Sequence, residues 1–491
     1  MNKKNINYSD EYLLRKKKLN LLRVEKNIFS LNFKRKTTSK KLLNKYKYKT
    51  KKELKKLKIK ASISGRIISR RIMKNSCFIT INDCDGNIQI YISKDKFNIK
   101  EYREYCKIWD IGDIVGCFGI LFKTNTGEIS IKSYKNVIIT KSIKPIPKKL
   151  KNVNISYRRR YLDLLINNKS KKKFILRSKI ISNIRIYMEK LGFIEVETPI
   201  LQNVPGGAIA KPFVTYHNSL NIDIYLRIAP ELYLKKLIIG GLEKIFEISK
   251  SFRNEGISKF HNPEFTMMEV YIAYSDYLDI MKFVKKLFNM MIKKIIKKNY
   301  ILYDGKLINL KKDFKICTMQ QLICKYCFLD SEDEINNIKN IKKISKKLNL
   351  DINDNWSIGK IQYKIFEEIV ESKLIKPTFV TSYPIDVSPL AKRNNYNKFV
   401  ADRFELFIGG MEICNGFSEL NDPKEQKERF LKQNNENVNS SFDKEYIKAL
   451  EYGLPPTGGF GIGIDRLLML LTNSESIKDV ILFPLVKPSD S

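Results

Sequence analysis

The stretch FRNEGISKFHNPEFTMMEVY, residues 252–271, decides the fold of this chain. Both ends of the stretch show the residue pattern of a β-strand. The first strand ends at Arg253, the second begins near Phe265, and loop-forming residues lie between them. We therefore expect a hairpin with a long tip. A period of two along the second strand places four side chains on one face: Phe265, Met267, Glu269 and Tyr271. That face is either a ligand platform or an ordinary charged surface exposed to water.

The length and composition of the chain limit its class. With 491 residues it is long enough for two or three domains, each burying a core. It contains no apolar run that could span a membrane, and its N-terminus lacks an apolar signal core, so we expect a cytoplasmic protein without membrane contact. The single CxxC at Cys324 and Cys327 lacks a second pair of ligands, which favours reduced structural thiols over zinc.

The charge of the chain points to a polyanion. The net charge is +40, and residues 1–60 contain 22 Lys and Arg against 4 Asp and Glu. RNA or DNA is the partner that such a balance favours. The alternative is a general excess of lysine, asparagine and isoleucine, as an AT-rich coding sequence would give. With only His217 and His261 present, mechanisms that need several histidines are nearly excluded.

The N-terminal third predicts a helix and a barrel. Residues 9–29 combine leucines with basic residues, which is typical of an amphipathic helix lying on a membrane surface or along RNA. Residues 58–140 contain short β-rich runs separated by turns at Asp85–Gly86 and Thr126–Gly127, so we expect a small antiparallel barrel. Three side chains on it are candidates for stacking on and reading unpaired bases: Phe78, Gln89 and Glu128. Residues 144–150 read as a linker.

The remaining two thirds carry the other polar motifs. Residues 170–191 predict a helix, which is followed by a strand in FIEVETPIL. Gly206–Gly207 permits a close backbone approach to a ligand, and Glu231 opens a helix. Residues 285–375 are rich in lysine and show no recognisable chemistry, so we expect them to be structural.

A second hairpin is predicted around Gly409–Gly410. If residue 408 faces residue 411, Glu405 and Glu412 lie on one face, where two carboxylates suit a divalent cation completed by phosphate oxygens; two exposed acids are the alternative. Asn415 and Glu419 lie an odd number of residues from Glu412, so in a regular strand they would point to the opposite face. They reach the same pocket only if the strand bends or bulges, and Gly416 is the candidate position. A glycine-rich strand then leads into a helix near Arg466, which could meet a phosphate or a base.

These stretches, taken together, resemble the three signature motifs of class II aminoacyl-tRNA synthetases. GFIEVETP resembles the first, FRNEGISKFHNPEF with its following strand the second, and GIGIDR the third. The resemblance is closest to the lysyl-tRNA synthetases, because PGGAIAKPF, YLRIAPELYL, HNPEFTMME, GGMEICNGFSELND and GLPPTGGFGIGIDR stand in the same order. It covers essentially the whole chain.

The resemblance implies an α+β fold, with an N-terminal OB-fold barrel and a class II antiparallel sheet flanked by helices. The expected domains are a basic helical extension at 1–57, an anticodon-binding OB-fold at 58–145 and a catalytic domain at 146–491. It also implies a homodimer that uses Mg²⁺, ATP, L-lysine and tRNA(Lys). Activation of lysine to lysyl-adenylate would precede its transfer to the tRNA 3′ end, with no side chain acting as a nucleophile.

Residue roles follow from the same resemblance. Arg253 and Arg466 would be catalytic, and the ATP contacts would be Arg253, Glu255, His261, Phe265 and Arg466. Magnesium would be bound by Glu405 and Glu412. The lysine contacts would be Gly207, Glu231, Glu269, Tyr271, Asn415 and Glu419, with Glu231 and Glu419 pairing the ε-ammonium. The anticodon contacts would be Arg71, Phe78, Gln89 and Glu128.

Two residues depart from the family pattern, and two other functions remain open. Phe260 and Lys211 stand where many bacterial members carry arginine, which puts local ATP or loop contacts in question. One alternative is a paralogue that lysylates a translation factor, although such proteins lack the N-terminal barrel. The other is a non-catalytic RNA-binding relative, which would have lost Arg253, Glu405, Glu412 or Arg466, whereas all four are present in this chain.

Overall fold

The computed structural model describes residues 8–25, 28–29, 33–150, 152–436 and 442–487. Residues 1–7 and 26–27, which belong to the predicted basic extension and helix, lie outside the described residues. The chain divides into two compact units, Met1–Leu150 and Lys151–Ser491. Among the described residues, no helix combines the length and apolarity needed to cross a bilayer.

The first unit is built around a closed five-stranded barrel. The strand order is β1-β2-β3-β5-β4. Its strands are β1 (Lys60–Ile72), β2 (Ser76–Asn82), β3 (Asn87–Ser93), β4 (Ile114–Lys123) and β5 (Ile129–Thr140). The expected barrel is present, but it is not purely antiparallel, because β3 pairs with β5 in parallel. A barrel closes only if every strand has a partner on both sides. Here the connection from β3 to β4 runs through a helix, so β5 returns in the same direction as β3 and pairs with it in parallel.

Alternation along these strands separates an apolar interior from an outer surface. Ile79 and Ile90 are buried at 0% and 1% exposure, while their neighbours Phe78 and Tyr91 face outward and remain partly exposed. The helices of this unit are α1 (Tyr8–Glu25), α2 (Ser39–Tyr46), α3 (Lys51–Leu57) and α4 (Ile99–Lys107). Leu19 and Leu22 of α1 are buried in the same core as the barrel, so the N-terminal helix is part of this unit.

The second unit is organised by an eight-stranded sheet. The strand order is β14-β15-β16-β17-β18-β11-β10-β6. The strands of this unit are β6 (Ile194–Glu195), β7 (Leu201–Gln202), β8 (Phe213–His217), β9 (Ile222–Leu226), β10 (Lys244–Phe252), β11 (Glu264–Ala273), β12 (Tyr300–Tyr303), β13 (Lys306–Asn309), β14 (Lys315–Thr318), β15 (Thr378–Thr381), β16 (Arg403–Ile408), β17 (Met411–Ser418) and β18 (Thr457–Gly463). The six central strands are antiparallel, and β14 and β6 join the edges in parallel.

Helices cover one face of this sheet and frame the other. They are α5 (Val153–Arg158), α6 (Arg160–Ile166), α7 (Asn168–Lys190), α8 (Glu231–Ile239), α9 (Tyr277–Met291), α10 (Met319–Cys327), α11 (Asp333–Asn336), α12 (Ile338–Lys347), α13 (Ile358–Ile365), α14 (Pro423–Glu436), α15 (Lys444–Glu451) and α16 (Ile464–Thr472). Met268 and Val270 of β11 are fully buried in one core with residues of α7, α9 and α16. The opposite face of β11 is therefore left for polar side chains.

The predicted strand in FIEVETPIL is much shorter than expected. Before Pro199, only Ile194–Glu195 pairs, in parallel with β10, and Val196 adds one further hydrogen bond to Phe246. After Pro199, Leu201 begins β7 and pairs with Leu226 in a different sheet. Pro199 removes a backbone donor, and the residue before a proline is restricted as well, so the ladder cannot extend through this segment.

The hairpin of 252–271 forms as expected, with β10 and β11 in register from Lys244–Ile272 to Phe252–Glu264. The second hairpin turns at Gly409 and Gly410, whose φ angles are +68° and +76°. Ile408 pairs with Met411 as predicted, but the register then shifts, so that Phe407 faces Glu412 and Glu405 faces Asn415.

That register shift is a β-bulge at Ile413, not at Gly416. Gly416 pairs regularly with Phe404. The extra residue at 413 changes the parity of β17, so Glu412 and Asn415, three positions apart, come to one face together with Glu405. The expected change of face along β17 is thus present, but it occurs at Ile413 and not at Gly416.

Candidate active site

The site lies on the polar face of the central sheet, where two cross-strand rows meet. One row runs Glu247, Glu269, Gly461, Asn415 and Glu405 across β10, β11, β18, β17 and β16. The next row places Tyr271, Gly459 and Phe417 side by side. Because the two glycines carry no side chain, the rows form a trough with its floor at β18 and polar walls on either side.

Arg253 forms one end of the trough, directly after β10. Its backbone N–H donates to Pro263 at 2.9 Å, and its guanidinium lies 5.2 Å from the centre of the Phe265 ring. The buried Nε atom finds no acceptor among the described residues. A buried donor without a partner is costly, so this arginine is suited to an anion that the protein itself does not supply.

Arg466, His261 and Glu412 form one hydrogen-bonded group at this end. Arg466 donates to the Glu412 Oε2 atom at 2.9 Å and to the His261 Nε2 atom at 3.0 Å. A guanidinium has no acceptor, so Nε2 must carry the lone pair and Nδ1 the proton. Burial and the neighbouring Arg466 lower the pKa of His261, which fits this neutral form. The Nδ1 atom is 2.8 Å from the Ser258 hydroxyl.

Glu255 and Phe260 belong to the same loop but differ in their surroundings. Glu255 is exposed, and its charge acts on both Arg253 and His261. Phe260, which departs from the family pattern, packs against the main hydrophobic core. Lys211, the other departure, has an exposed side chain, and its carbonyl accepts from the backbone N–H of Asn254 at 2.8 Å. Neither of these two side chains lines the trough.

The two predicted metal carboxylates are brought together. Glu405 is buried, and burial raises its pKa to about 7, with Glu412 adding to the rise and Arg403 opposing it. Glu405 also accepts from Arg403 at 2.5 Å and from the Tyr383 hydroxyl at 2.8 Å. The described residues contain no cluster of three or more potential metal ligands. Two adjacent carboxylates fit Mg²⁺, which takes its remaining ligands from substrate phosphates and water.

One further acidic group near this pair belongs to residues 285–375. Glu371 begins a 3₁₀ turn, Glu371–Lys373, and is close enough to Glu405 and Glu412 for their charges to act on it. Burial, Glu405 and Glu412 raise the pKa of Glu371 to about 9. Residues 285–375 therefore include one carboxylate whose charge acts on the site. The sequence FEEIVESK, residues 366–373, contains three glutamates and is typical of an exposed surface, so it did not indicate that Glu371 lies near the site.

The other end of the trough is an acidic pocket. Glu269 is buried, and burial together with Glu231 raises its pKa to about 8. The Tyr271 hydroxyl donates to the Glu269 Oε2 atom at 3.0 Å, so its oxygen lone pairs remain able to accept from another donor. Gly207 has a φ of +86°, and a Cβ there would lie 3.2 Å from the Glu231 Cβ. A side chain at 207 would therefore crowd the pocket.

Glu231 and Glu419 close this pocket, with a lysine between them. Glu231 is the first residue of α8, and Glu419 follows β17. The ammonium of Lys235 lies 2.7 Å from the Glu231 Oε1 atom and 2.5 Å from the Glu419 Oε2 atom, and its side chain is fully buried. Sequence reasoning missed Lys235, although its position four residues after Glu231 on a helix was the available signal.

Asn415 lies in the middle of the trough. Its Oδ1 atom accepts from the Arg403 Nε atom at 3.3 Å, which fixes the amide so that its NH₂ group is available to donate. Arg403 in turn donates to the carbonyl of Val387 and to Glu405. The trough therefore has cationic and carboxylate groups at one end, an amide donor in the middle and an acidic pocket at the other end.

Three of the predicted anticodon residues, Arg71, Phe78 and Gln89, lie on β1, β2 and β3 of the barrel in the first unit, and Glu128 directly precedes β5. Arg71 pairs directly with Phe78. Gln89 donates to the Glu128 Oε2 atom at 3.2 Å and accepts from the Ser130 hydroxyl. Phe78 lies 4.9 Å from the ring of Tyr91, which lies 5.8 Å from the ring of Phe122. This row of three rings is a stacking surface, two members of which the sequence did not single out.

Comparison with known proteins agrees with this geometry. The family model described as tRNA synthetases class II (D, K and N) matches residues 152–487, and the model of the OB-fold nucleic acid binding domain matches residues 61–137. The chain is 55% identical to a lysine–tRNA ligase of Wigglesworthia glossinidia brevipalpis, covering 99% of each chain. It is 46% identical to the heat-inducible lysine–tRNA ligase of Escherichia coli K12, covering 98% of this chain and 97% of that one.

Proposed function

The chain belongs to the lysine–tRNA ligases of the class II tRNA synthetases, and we propose that it joins L-lysine to the 3′ end of tRNA(Lys) at the expense of ATP. The observation that carries the choice of substrate is the buried acidic pocket formed by Glu231, Glu269 and Glu419. A buried ammonium needs paired carboxylates. Aspartate and asparagine, the other substrates of the group, would leave these carboxylates without a cation.

Lysine would lie along the trough. Its ε-ammonium would meet Glu231, Glu419 and the Tyr271 oxygen, and its α-ammonium would meet Glu269 and the Gly207 carbonyl. The Asn415 amide would donate to its carboxylate. Because both ends of the substrate are fixed, the carboxylate oxygen is aimed at the other end of the trough, which supplies the orientation that an in-line attack requires.

ATP would lie at the cationic end. Arg253 would donate to the α-phosphate, with the unpartnered Nε atom as one of its donors. Phe265 and Arg466 would hold the adenine between them, with His261 and Glu255 at its edge. Mg²⁺ bound by Glu405 and Glu412 would neutralise charge on the phosphates and on the leaving pyrophosphate.

The chemistry consists of two displacements. In the first, a lysine carboxylate oxygen forms a bond to the α-phosphorus while the bond to pyrophosphate breaks. In the second, a ribose hydroxyl oxygen of the tRNA forms a bond to the carbonyl carbon of lysyl-adenylate while the bond from that carbon to the phosphate oxygen breaks, releasing AMP and the hydroxyl proton. The protein contributes by positioning the reactants and neutralising charge. The barrel would bind the anticodon through Phe78, Gln89 and Glu128, with Arg71 beside them. Since its substrate is tRNA, we propose that it acts in the cytoplasm, where translation takes place.

We also propose that the protein is a homodimer. Several large apolar side chains between residues 153 and 222 are 40–50% exposed, among them Ile175, Ile186, Leu191 and Ile194. Ile175 and Ile186 lie about three turns apart on the same side of α7. Exposed apolar surface of this extent is typical of an interface. Sedimentation should give twice the chain mass, and the Ile175→Glu, Ile186→Glu double variant should give the chain mass.

The test of the function is ATP–pyrophosphate exchange measured with each of the twenty amino acids. Lysine alone should support exchange, and omitting magnesium should abolish it. Exchange with no amino acid, by protein that still binds tRNA, would contradict the proposal in favour of a non-catalytic RNA-binding relative. If lysine supports exchange but is transferred to a translation factor and not to tRNA(Lys), the paralogue is the correct assignment.

A further inference from the structure

Lys235 occupies a position that the roles above leave unexplained. It lies on α8, its side chain has no solvent exposure, and it bridges the two carboxylates assigned to the substrate ε-ammonium. The ring of Phe417 lies 5.4 Å from its ammonium. The enzyme therefore already holds an ammonium in the pocket that selects for an ammonium.

The charges around Lys235 explain why it stays protonated. Burial opposes the charged form, but Glu231 and Glu419 together raise the pKa of Lys235. The titratable groups that face Lys235 or its two carboxylates come from α8, β11, α15 and the end of β17: Glu231, Glu269, Tyr271, Glu419 and Tyr446. Three of these are carboxylates, and Lys235 is the one cation among them.

The charge count changes when lysine binds. With all three carboxylates ionised, the pocket including Lys235 carries two unmatched negative charges. The two ammonium groups of lysine match these charges only if Lys235 remains in place, while the carboxylate of lysine would lie outside the pocket, at Asn415. Removal of one partner from a buried ion pair is strongly unfavourable, which argues against an exchange in which Lys235 leaves.

The carboxylate oxygens allow both cations to bind at once. Lys235 contacts the Oε1 atom of Glu231 and the Oε2 atom of Glu419. Within the described residues, no hydrogen-bond donor reaches the Glu231 Oε2 atom or the Glu419 Oε1 atom. Glu419 Oε1 lies over Gly459 and the Tyr271 ring, at the floor of the trough. Each carboxylate thus has one oxygen for Lys235 and one for the substrate.

We propose that Lys235 is a positioning residue, a built-in counter-cation that bridges Glu231 and Glu419 and fixes their orientation, so that the substrate ε-ammonium joins it and does not replace it. The inference rests on the proposed function, because it assigns the second cation to lysine. It makes Lys235 a determinant of lysine selection that never touches the reacting atoms.

The test compares Lys235→Met and Lys235→Gln with Lys236→Met. Lys236 is the adjacent lysine on α8 and is paired with Asp443 at 2.9 Å, away from the two carboxylates. Both Lys235 variants should raise the KM for lysine in pyrophosphate exchange about tenfold or more, with the KM for ATP unchanged. Lys236→Met should change neither value.

The pH profile separates positioning from packing. Burial raises the pKa of Glu419 well above its usual range and Lys235 opposes that rise, so loss of Lys235 should raise the pKa of Glu419 further. The ratio of the variant KM for lysine to that of the wild type should therefore shrink as the pH rises from about 6.5 to 8.5. Taking the ratio cancels the titration of Glu269, which both proteins share.

Two results would overturn the proposal. A lower KM for lysine in the Lys235 variants would mean that Lys235 competes with the substrate for the same oxygens. An unchanged lysine KM, or a ratio independent of pH, would mean that Lys235 only packs. Calorimetric titration of lysine into the wild type and the Lys235→Gln variant gives the same comparison without catalysis, so it remains decisive if the wild type shows no exchange.

Discussion

At the scale of single residues, the site is defined by charges that the protein leaves incompletely paired. Arg253 keeps a buried donor without an acceptor. Glu269 is a buried carboxylate whose hydrogen-bond donor is a tyrosine and not a cation. Such groups cost folding free energy, and both point into the trough, where a substrate with the opposite charge would complete them.

Replacement of Arg253 by alanine should reduce the kcat of lysine-dependent exchange by about 100- to 1000-fold, because a donor to the transition-state charge is lost. The melting temperature should change little, since the guanidinium has few protein partners. Exchange kinetics and thermal unfolding measure the two effects. Lys282→Ala, at an exposed lysine paired with Asp279 at 3.1 Å, is the control and should match the wild type. A loss confined to the melting temperature would contradict the assigned role.

Glu269 predicts a pH dependence. Its pKa is raised from 4.5 to about 8, so it is protonated at neutral pH in the free enzyme, while binding of an α-ammonium requires the carboxylate. The KM for lysine should therefore fall as the pH rises from about 7 to 8.5. Steady-state exchange across this range, at saturating ATP, measures the effect, and a flat profile would show that Glu269 does not bind the ammonium.

The same shift affects stability in the opposite direction. Because the folded pKa lies above the unfolded value, the folded state holds the extra proton between pH 4.5 and about 8. The stability contribution is complete below this window and is lost as the pH rises through it. Glu269→Gln should therefore be more stable than the wild type at pH 8.5 in thermal unfolding, while its affinity for lysine is lower.

At the scale of elements, two irregularities of the sheet build the site. The bulge at Ile413 turns Glu412 onto the face that already carries Glu405 and Asn415. The glycines of β18 lie between Glu269 and Asn415, and between Tyr271 and Phe417, and so leave the trough open. A regular strand with ordinary side chains at these positions would fill the pocket or face the wrong side.

Gly459→Ala tests this role of β18. A Cβ at position 459 would lie 2.1 Å from the Glu419 Oε1 atom and 2.7 Å from the buried Tyr271 ring, so the carboxylate and the ring would both have to shift. Overpacking of this kind costs about 1–3 kcal/mol, so the KM for lysine should rise about tenfold while the KM for ATP stays near the wild-type value.

The matched control is Gly463→Ala on the same strand. The nearest atom to a Cβ there would be the Arg466 Cβ at 3.7 Å, an ordinary van der Waals contact. This variant should retain wild-type kinetics. Equal effects at both glycines would mean that the strand tolerates no side chain for reasons of sheet stability alone.

At the scale of the whole molecule, recognition and chemistry are carried by separate compact units. The barrel carries the row of rings formed by Phe78, Tyr91 and Phe122, and the second unit carries the trough. A change in the barrel should therefore alter reactions that involve tRNA and leave the activation of lysine untouched.

Phe78→Ala is the variant that separates the two. Loss of one stacking ring costs about 1–3 kcal/mol per base, so the KM for tRNA(Lys) in aminoacylation should rise about 10- to 100-fold, with pyrophosphate exchange unchanged. Tyr134→Ala, at a β5 aromatic that is 49% exposed and outside the row, is the control. If both variants behave alike in aminoacylation, the ring row is ordinary barrel surface.

The sequence by itself determined the two hairpins, the barrel, the start of α8 and the family. These features depend on local signals: a period of two, turn glycines with positive φ, and motifs that keep their order along the chain. The sequence also identified Arg253, Glu269 and Arg466 as candidate site residues, because they are polar groups on elements that are otherwise apolar.

Only the tertiary structure decided where the parity of β17 changes, that the charges of Glu405 and Glu412 act on Glu371, and that Lys235 lies between Glu231 and Glu419. A bulge is set by the pairing of a strand with its neighbours, and its own residues carry no mark of it. From the sequence alone a lysine or glutamate is predicted to be exposed, because only the fold shows that a distant segment buries it. Burial and pairing are properties of the packed sheet and helices. The spacing of Lys235 four residues after Glu231 could suggest that ion pair, but no local pattern could place Glu419 on its other side, Glu371 near the site or the bulge at Ile413.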